Sequence, residues 1–396
     1  MPRKICIVVN SRANYGRIKS VLTAVQAHPD LELQLVLGAS ALLHRFGNVR
    51  SIIERDGFTP SATVYTIVEG ETPTTMAKST GLAVIELATI FENLKPDIVL
   101  TVADRFETMA TAVAASYMNI CLAHTQGGEV TGSIDESVRH AVTKLSHLHF
   151  PATQLAADNL LRMGEDPATV HLTGCPAMDI IAGLDMSRPD ELLLDNTGVG
   201  AHLDPEKPYV VVLQHPVTTE FGSGEAQITE TLEAVAATGM QAIWLWPNVD
   251  AGSDEVSKGL RKYREAHDPD WLRLFRSFPV EEYAKLIKHS ACVIGNSSSA
   301  LREGAFLGVP AVNIGTRQSG REHGPNVVHV PYDRKAIAAA IHKQVAHGPY
   351  SHSPIFGDGK AGTRIADILA TAAVKLQKQL HYPQNAVMGD VRQFAQ

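Results

Sequence analysis

The sequence predicts an α/β protein of two similar halves, each a parallel sheet with helices on both faces and a cleft between them. Three observations lead there. Apolar, β-branched runs of strand length alternate with helix-length periodic segments along the whole chain. The rhythm breaks at Asp185–Pro208, where Asp, Pro, Gly and Asn accumulate and read as a connection between halves. A length of 396 residues suffices for two or three domains with full cores.

In the first half the strands fall at Ile5–Val9, Leu33–Leu37, Ala62–Ile67, Ile98–Val102, Ile120–Ala123 and His147–Pro151. Helices between them fit Tyr15–Ala27, Thr72–Leu94, Arg105–Tyr117 and Asp135–Leu145. The second half repeats the rhythm with strands at Tyr209–Leu213, Ala242–Trp246, Leu272–Arg276, Ala291–Ile294, Ala311–Ile314 and Val327–Val330. Helical periodicity returns from Ala361 to Leu380, after Gly357-Asp-Gly359. The division expected is 1–184 and 185–372, with a C-terminal helix over 373–396 joining the first domain.

Hydrophobic content of 44% with 19% charged residues describes a soluble globular chain. The net charge of −7 and the absence of a basic block argue against nucleic acid as a partner. No apolar run has the length of a membrane span. The N-terminus leads directly into a core strand, and Cys6, Cys121, Cys175 and Cys292 are dispersed without metal or redox spacing. Free buried thiols in the cytoplasm, with no metal and no cofactor, are the expectation.

The polar residues gather where the predicted strands end, the place where α/β proteins bind ligands. Gly295-Asn-Ser-Ser-Ser-Ala-Leu-Arg-Glu303 follows a buried strand and opens a predicted helix at Ala300–Leu307. Ser297 and Ser298 there suit phosphate oxygens, and Glu303 suits the two hydroxyls of a ribose. Arg317 and Arg321, in the next strand-end loop, can neutralise a diphosphate by bidentate contact. Together they make a pyrophosphate cradle without a glycine-rich P-loop.

A second cluster is His124-Thr-Gln-Gly-Gly-Glu-Val-Thr-Gly-Ser-Ile-Asp-Glu-Ser-Val-Arg-His140. Three glycines allow tight turns beside a ligand, while His124, Glu129, Asp135 and Glu136 supply acid and base groups, with Arg139 one turn beyond Asp135. Ser133 with Glu136 also fits a plain capping box. Further strand ends contribute Arg12, the pair Asp104 and Arg105, His215, and Asn248. A P-loop NTPase, a G-x-G-x-x-G dehydrogenase and a G-x-S-x-G hydrolase are disfavoured, since none of those motifs is present in place. His147-Leu-His149 reads as a helix end entering a strand rather than as a metal site.

Arg12-Ala-Asn-Tyr15, Asp104-Arg-Phe106, Gly127-Gly-Glu-Val-Thr-Gly132 and Gln214-His-Pro-Val-Thr-Thr219 resemble motifs of hydrolysing UDP-N-acetylglucosamine 2-epimerases. So do Pro247-Asn-Val-Asp-Ala-Gly-Ser253, Gly295-Asn-Ser-Ser298, Arg302-Glu303, Gly315-Thr-Arg-Gln318, Gly320-Arg-Glu322 and Gly357-Asp-Gly359. The resemblance runs from Lys4 to about Leu380, and is closest to the stand-alone bacterial form. It implies a GT-B-like fold of two Rossmann-like domains with the active site in the cleft between them, and a homodimer or homotetramer.

It also implies a reaction in which UDP is eliminated from UDP-GlcNAc and the glycal is hydrated to ManNAc, a step toward sialic-type acids. By the same resemblance, Arg12, Arg105, His215, Asn248, Ser297, Ser298, Glu303 and Arg317 bind the nucleotide with Gly174 lining the site. Asp104, His124, Glu129, Asp135, Glu136 and Arg139 form the sugar-side cluster, His215 counts with them as catalytic as well as nucleotide-binding, and Asp135 is the first choice for proton transfer. Two positions depart from the family pattern: Gln126 stands in place of an acid and Asn14 in place of Asp. These changes suggest a different sugar, such as a 2,4-diacetamido-2,4,6-trideoxyhexose of the legionaminic route, on UDP or GDP. A non-hydrolysing epimerase is the other alternative.

Overall fold

The computed structural model describes residues 1–44, 49–70, 72–189, 197–204, 206–247 and 250–381. The first sheet contains β1 (Arg3–Val9), β2 (Leu31–Gly38), β3 (Ala62–Val64), β4 (Ile98–Val102), β5 (Cys121–Thr125) and β6 (Leu148–Phe150). All its pairings are parallel, in the order β3-β2-β1-β4-β5-β6. The second contains β7 (Val199–Gly200), β8 (Tyr209–Leu213), β9 (Gln241–Leu245), β10 (Leu272–Phe275), β11 (Cys292–Gly295), β12 (Ala311–Ile314) and β13 (Val327–Val330). Its order is β13-β12-β11-β8-β9-β10-β7. Counted from β8, its six parallel strands repeat the first sheet's order, so both domains are Rossmann-like and the whole is GT-B-like.

Burial explains why these runs become strands. Every residue of β4, β5 and β12 is buried, as parallel strands covered on both faces require. Ile5, Ile7 and Val9 pack toward one helical layer, while Cys6 and Val8 pack toward the other. β3 is shorter than its apolar pattern, because its partner β2 ends at Gly38 and residues after Val64 have nothing to pair with. β7 has no pattern at all: it is a two-residue antiparallel edge on β10, within a glycine-rich segment.

A third apolar cluster spans the two domains. Ala177, Met178 and Ile181, on the helix Pro176–Ala182, meet Ala284, Ile287, Val293 and Leu301 of the second domain. The chain then returns: Ile365, Ala366 and Leu369, on the helix Ala361–Thr371, join the core of the first domain against the helix Arg12–Ala27. This return helix stands earlier than the helix expected over 373–396. Residues 372–381 are not helical, and 382–396 lie outside the described residues. The helix stops at Ala372 because side chains of the first domain take up the backbone of the following segment, starting with Arg3 on the carbonyls of Leu369 and Ala372 at 2.7 and 2.9 Å.

Gly295 ends β11 at φ 123°, and a Cβ there would run into the carbonyl of Leu213 on β8. Gly295→Ala should destabilise the fold by about 1–3 kcal/mol from backbone conformation alone, and more from the collision. Gly81, on the helix Pro73–Leu94, has open space around it, so Gly81→Ala should stabilise by roughly 0.5–1 kcal/mol. Urea unfolding of the two variants beside the parent checks both signs.

Candidate functional site

In each sheet the chain reverses its winding direction once, between β1 and β4 in the first and between β8 and β11 in the second. Loops leaving the carboxyl ends of the two strands diverge there and leave a crevice. The two crevices face each other. Arg12, Asp104 and Arg105 come from the first; His215, Ser297, Ser298 and Ser299 come from the second. They enclose a cavity of about 150 Å³, completed by Arg17, Thr131, Asp135, Tyr283, Glu303, Arg317, Gln318 and Arg321. On the far side of Arg12 and Arg105 a wider cavity of about 630 Å³ opens along Trp246, Phe275 and Arg261.

Ion pairs draw the domains together around this cavity. Glu129 is buried and receives Arg302 and Arg321 from the second domain, Arg321 at 2.6 Å. Arg105 pairs with Asp250 at 2.8 Å and with Glu107 at 3.2 Å. The backbone N–H of Gly132 donates to the carbonyl of Arg317 at 3.1 Å, an approach so close that a Cβ on Gly132 would strike Thr316.

The serine segment forms two short turns rather than the single helix Ala300–Leu307. Ser298–Leu301 and Glu303–Leu307 are separated at Arg302, whose side chain is pulled across the cleft to Glu129. A four-residue turn carries little macrodipole, so the anion-binding capacity rests on hydroxyls and arginines instead. Arg17 donates to Ser298 Oγ at 2.5 Å, and Tyr283 OH meets Ser299 Oγ at 2.6 Å. Arg317 donates to the carbonyl of Asn296 at 3.2 Å and approaches Asp135 at 3.7 Å. Glu303 Oε2 is buried and has no hydrogen-bond partner among the described residues.

The charge state follows from this crowding. Burial, together with Arg302 and Arg321, pushes Arg17 down to about 10. Burial and the arginines 317, 12 and 105 hold His215 well below the usual imidazole range, so its ring is neutral. Burial raises the Asp135 carboxyl, with Arg317 opposing and Asp250 adding to the shift. Burial alone would raise Glu129 too, but Arg302 and Arg321 keep it below the ordinary carboxylate range. The cavity is electropositive, with Asp135 close to its rim of arginines.

Of the expected sugar-side residues, Asp104 and Asp135 line the cavity, whereas His124, Glu129, Glu136 and Arg139 do not. His124 is fully buried; burial pushes its pKa down to about 4, and Nε2 lies 2.7 Å from the carbonyl of Ala103. Ala103 sits at φ 60°, a left-handed turn that this histidine holds directly before Asp104. Arg139 is enclosed against Asp104, so it orients that acid from behind. Glu136 accepts from the N–H of Thr131 at 2.9 Å, in the manner of a capping acid.

On the nucleotide side Arg12, Arg105, His215, Ser297, Ser298, Glu303, Arg317 and Arg321 all line the cavity. Gly174 does not; it packs on Gly357. Asn248 lies outside the described residues. Neither Gln126 nor Asn14 lines the cavity. Gln126 donates to Cys175 Sγ at 3.4 Å, and Asn14 Oδ1 accepts from the N–H of Asn10 at 3.3 Å. Arg17, Ser299, Tyr283 and Gln318 are additions that strand-end reasoning missed. Arg17 and Tyr283 project from within helices, where only helical phase relative to the preceding strand end would have exposed them.

A family model described as UDP-N-acetylglucosamine 2-epimerase matches residues 23–370. A hydrolysing UDP-N,N'-diacetylbacillosamine 2-epimerase of Legionella pneumophila is 33% identical over 377 residues, covering 95% of this chain and 98% of the relative. A UDP-N-acetylglucosamine 2-epimerase of Neisseria meningitidis is 30% identical over 372 residues, covering 93% and 95%. The solved structure of Methanocaldococcus jannaschii UDP-GlcNAc 2-epimerase with UDP-GlcNAc and UDP shares the fold at a TM-score of 0.75 and 17% identity, covering 92% of this chain and 99% of that one. Two facing strand-end crevices, an electropositive cavity and a match across most of its length lead to one conclusion: the chain belongs to the UDP-N-acetylglucosamine 2-epimerase family.

Proposed function

We propose that this protein is a hydrolysing 2-epimerase of a nucleoside-diphosphate-linked 2-acetamido sugar, converting UDP-GlcNAc and water into ManNAc and UDP. The observation that carries the reading is the surplus of positive charge in the cavity. Arg12, Arg17 and Arg317 converge there, and among the described residues their nearest ion-pair partner is Asp135, at 3.7 Å from Arg317. A diphosphate supplies the missing negative charge, with Ser297 and Ser298 on its oxygens. Glu303 Oε2, buried and unpartnered, accepts the ribose hydroxyls.

In this reading Asp135 takes the proton from C2, the C1–O bond breaks, and its electron pair leaves with UDP to give 2-acetamidoglucal. Water then adds its hydroxyl to C1 and a proton to C2 from the opposite face, releasing the free epimeric sugar. The C2 proton is weakly acidic, so stabilising the departing diphosphate does most of the work. Arg12, Arg17 and Arg317 supply that field, and neutral His215 contributes a hydrogen bond without adding charge. Asp104, held by Arg139, also lines the cavity and serves the protonation step. Glu129 is committed to two arginines and acts by fixing the closed cleft.

A second reading, the same reaction on a UDP-linked 2,4-diacetamido-2,4,6-trideoxyhexose, is favoured by the similarity to the Legionella relative. Gln126 and Asn14 lie away from the cavity lining, so they do not decide between the two sugars by direct contact.

Proton NMR in heavy water should decide the reaction: UDP-GlcNAc, its GDP analogue and the UDP-diacetamido sugar are each incubated without acceptor. A free manno-configured sugar deuterated at C2 is expected; a nucleotide-linked product would mean a non-hydrolysing enzyme, and no turnover of any donor would overturn the proposal. Asp135→Asn should lower kcat by at least about 100-fold while UDP binding stays near wild type. Arg17→Met should weaken UDP binding by roughly 10- to 100-fold in calorimetry, the effect of losing a charged hydrogen bond.

A further inference from the structure

Beyond the helix Ala361–Thr371, residues 372–381 run across the first domain as a strap. His147 Nε2 meets the carbonyl of Leu376 at 3.0 Å, and the N–H of His381 donates to the carbonyl of Gly164 at 2.9 Å. Between these ties, Lys378 reaches inward. Its ammonium donates to the carbonyls of Thr143 and Ser146 at 2.8 and 2.6 Å, and pairs with buried Glu165 at 2.5 Å. Those carbonyls belong to the last turn and C-cap of the helix Ile134–Leu145, where a cation is stabilising; that of Thr143 also accepts from the N–H of Ser146 at 3.1 Å.

That helix carries Asp135 in its first turn and Arg139 one turn later. Its other end communicates with the second acid. Thr143 gives its carbonyl to Lys378 and sets its hydroxyl 3.4 Å from His124 Nδ1, while His124 Nε2 lies 2.7 Å from the carbonyl of Ala103, the residue before Asp104. Glu165 closes the arrangement, lying 2.7 Å from Lys144 and 2.9 Å from His149, whose strand pairs His149 with His124. None of these contacts reaches the serine and arginine cradle of the second domain.

The geometry points to Lys378 as a positioning residue: the C-terminal strap fixes the helix and the histidine that hold Asp135 and Asp104 in the cavity, and leaves nucleotide binding untouched. The inference rests on the epimerase reading for its kinetic readout, and a second readout is independent of it. Full-length Lys378→Met and Lys378→Arg are compared for kcat, for UDP affinity by calorimetry, and for amide hydrogen exchange over residues 134–145. Lys378→Met should lower kcat about 10- to 100-fold, the scale of a misplaced catalytic group. It should also speed exchange over 134–145 with UDP affinity unchanged, and Lys378→Arg should restore most of kcat. Unchanged kcat, or kcat and UDP affinity falling together, would overturn the inference. If the wild type turns over no donor, the reaction reading fails by itself, and the strap stands or falls on whether exchange over 134–145 quickens while UDP still binds. Should Lys378→Met not fold, Lys378→Gln carries the same comparison, since it keeps a donor for the carbonyls and loses the ion pair.

Discussion

The architecture around the cavity depends on one buried carboxylate. Glu129 comes from the loop after β5 of the first domain, and it is gripped by Arg302 and Arg321 from the second. Three charges removed from water in one place are costly unless their geometry is closely matched, and losing one partner of such a set typically costs about 3–5 kcal/mol. The grip therefore sets the distance between the sheets. It also interrupts the serine helix at Arg302, which turns Ser298 one way and Glu303 the other, both into the cavity. Behind it, Arg139 holds Asp104 and so keeps that lining acid aligned.

Much of the fold was legible because parallel strands buried on both faces leave an unmistakable trace, continuous β-branched runs such as Tyr209–Leu213 and Ile98–Val102, both found at those bounds. What escaped was set by neighbours rather than by the segment itself. β7 exists because β10 offers an edge, and the non-helical course of 372–381 exists because Lys378, His147 and Gly164 hold it there. The site divides along the same line. Residues at strand ends, such as Arg12, Asp104, His215 and Ser297, could be located from position alone, because topology delivers every strand end of a parallel sheet to one edge. His124 and Glu129 share that edge yet turn inward, a choice made by the left-handed turn at Ala103 and by arginines distant in sequence. No local pattern encodes it.

The electrostatic character of the cavity also clarifies how the two domains share labour. The second domain supplies hydroxyls, Arg317, Arg321 and Glu303, and the first supplies Arg12, Arg17 and Arg105 together with Asp104 and Asp135. In the proposed reaction the diphosphate is therefore held by both domains, whereas the acids for proton transfer belong to the first. The backbones of the two domains touch where the N–H of Gly132 donates to the carbonyl of Arg317, which joins the two sets of groups around one cavity.

The return of the chain through Ala361–Thr371 has a bearing on biosynthesis. Ile365, Ala366 and Leu369 fill the first domain's core, and Arg3, near the N-terminus, bonds the carbonyls of Leu369 and Ala372. A ribosome releases the N-terminal residues first, and domains ordinarily fold in that order as they emerge. Here the first domain to be made is the last to be finished: the outer face of its helix Arg12–Ala27 stays uncovered until the second domain has been translated in full.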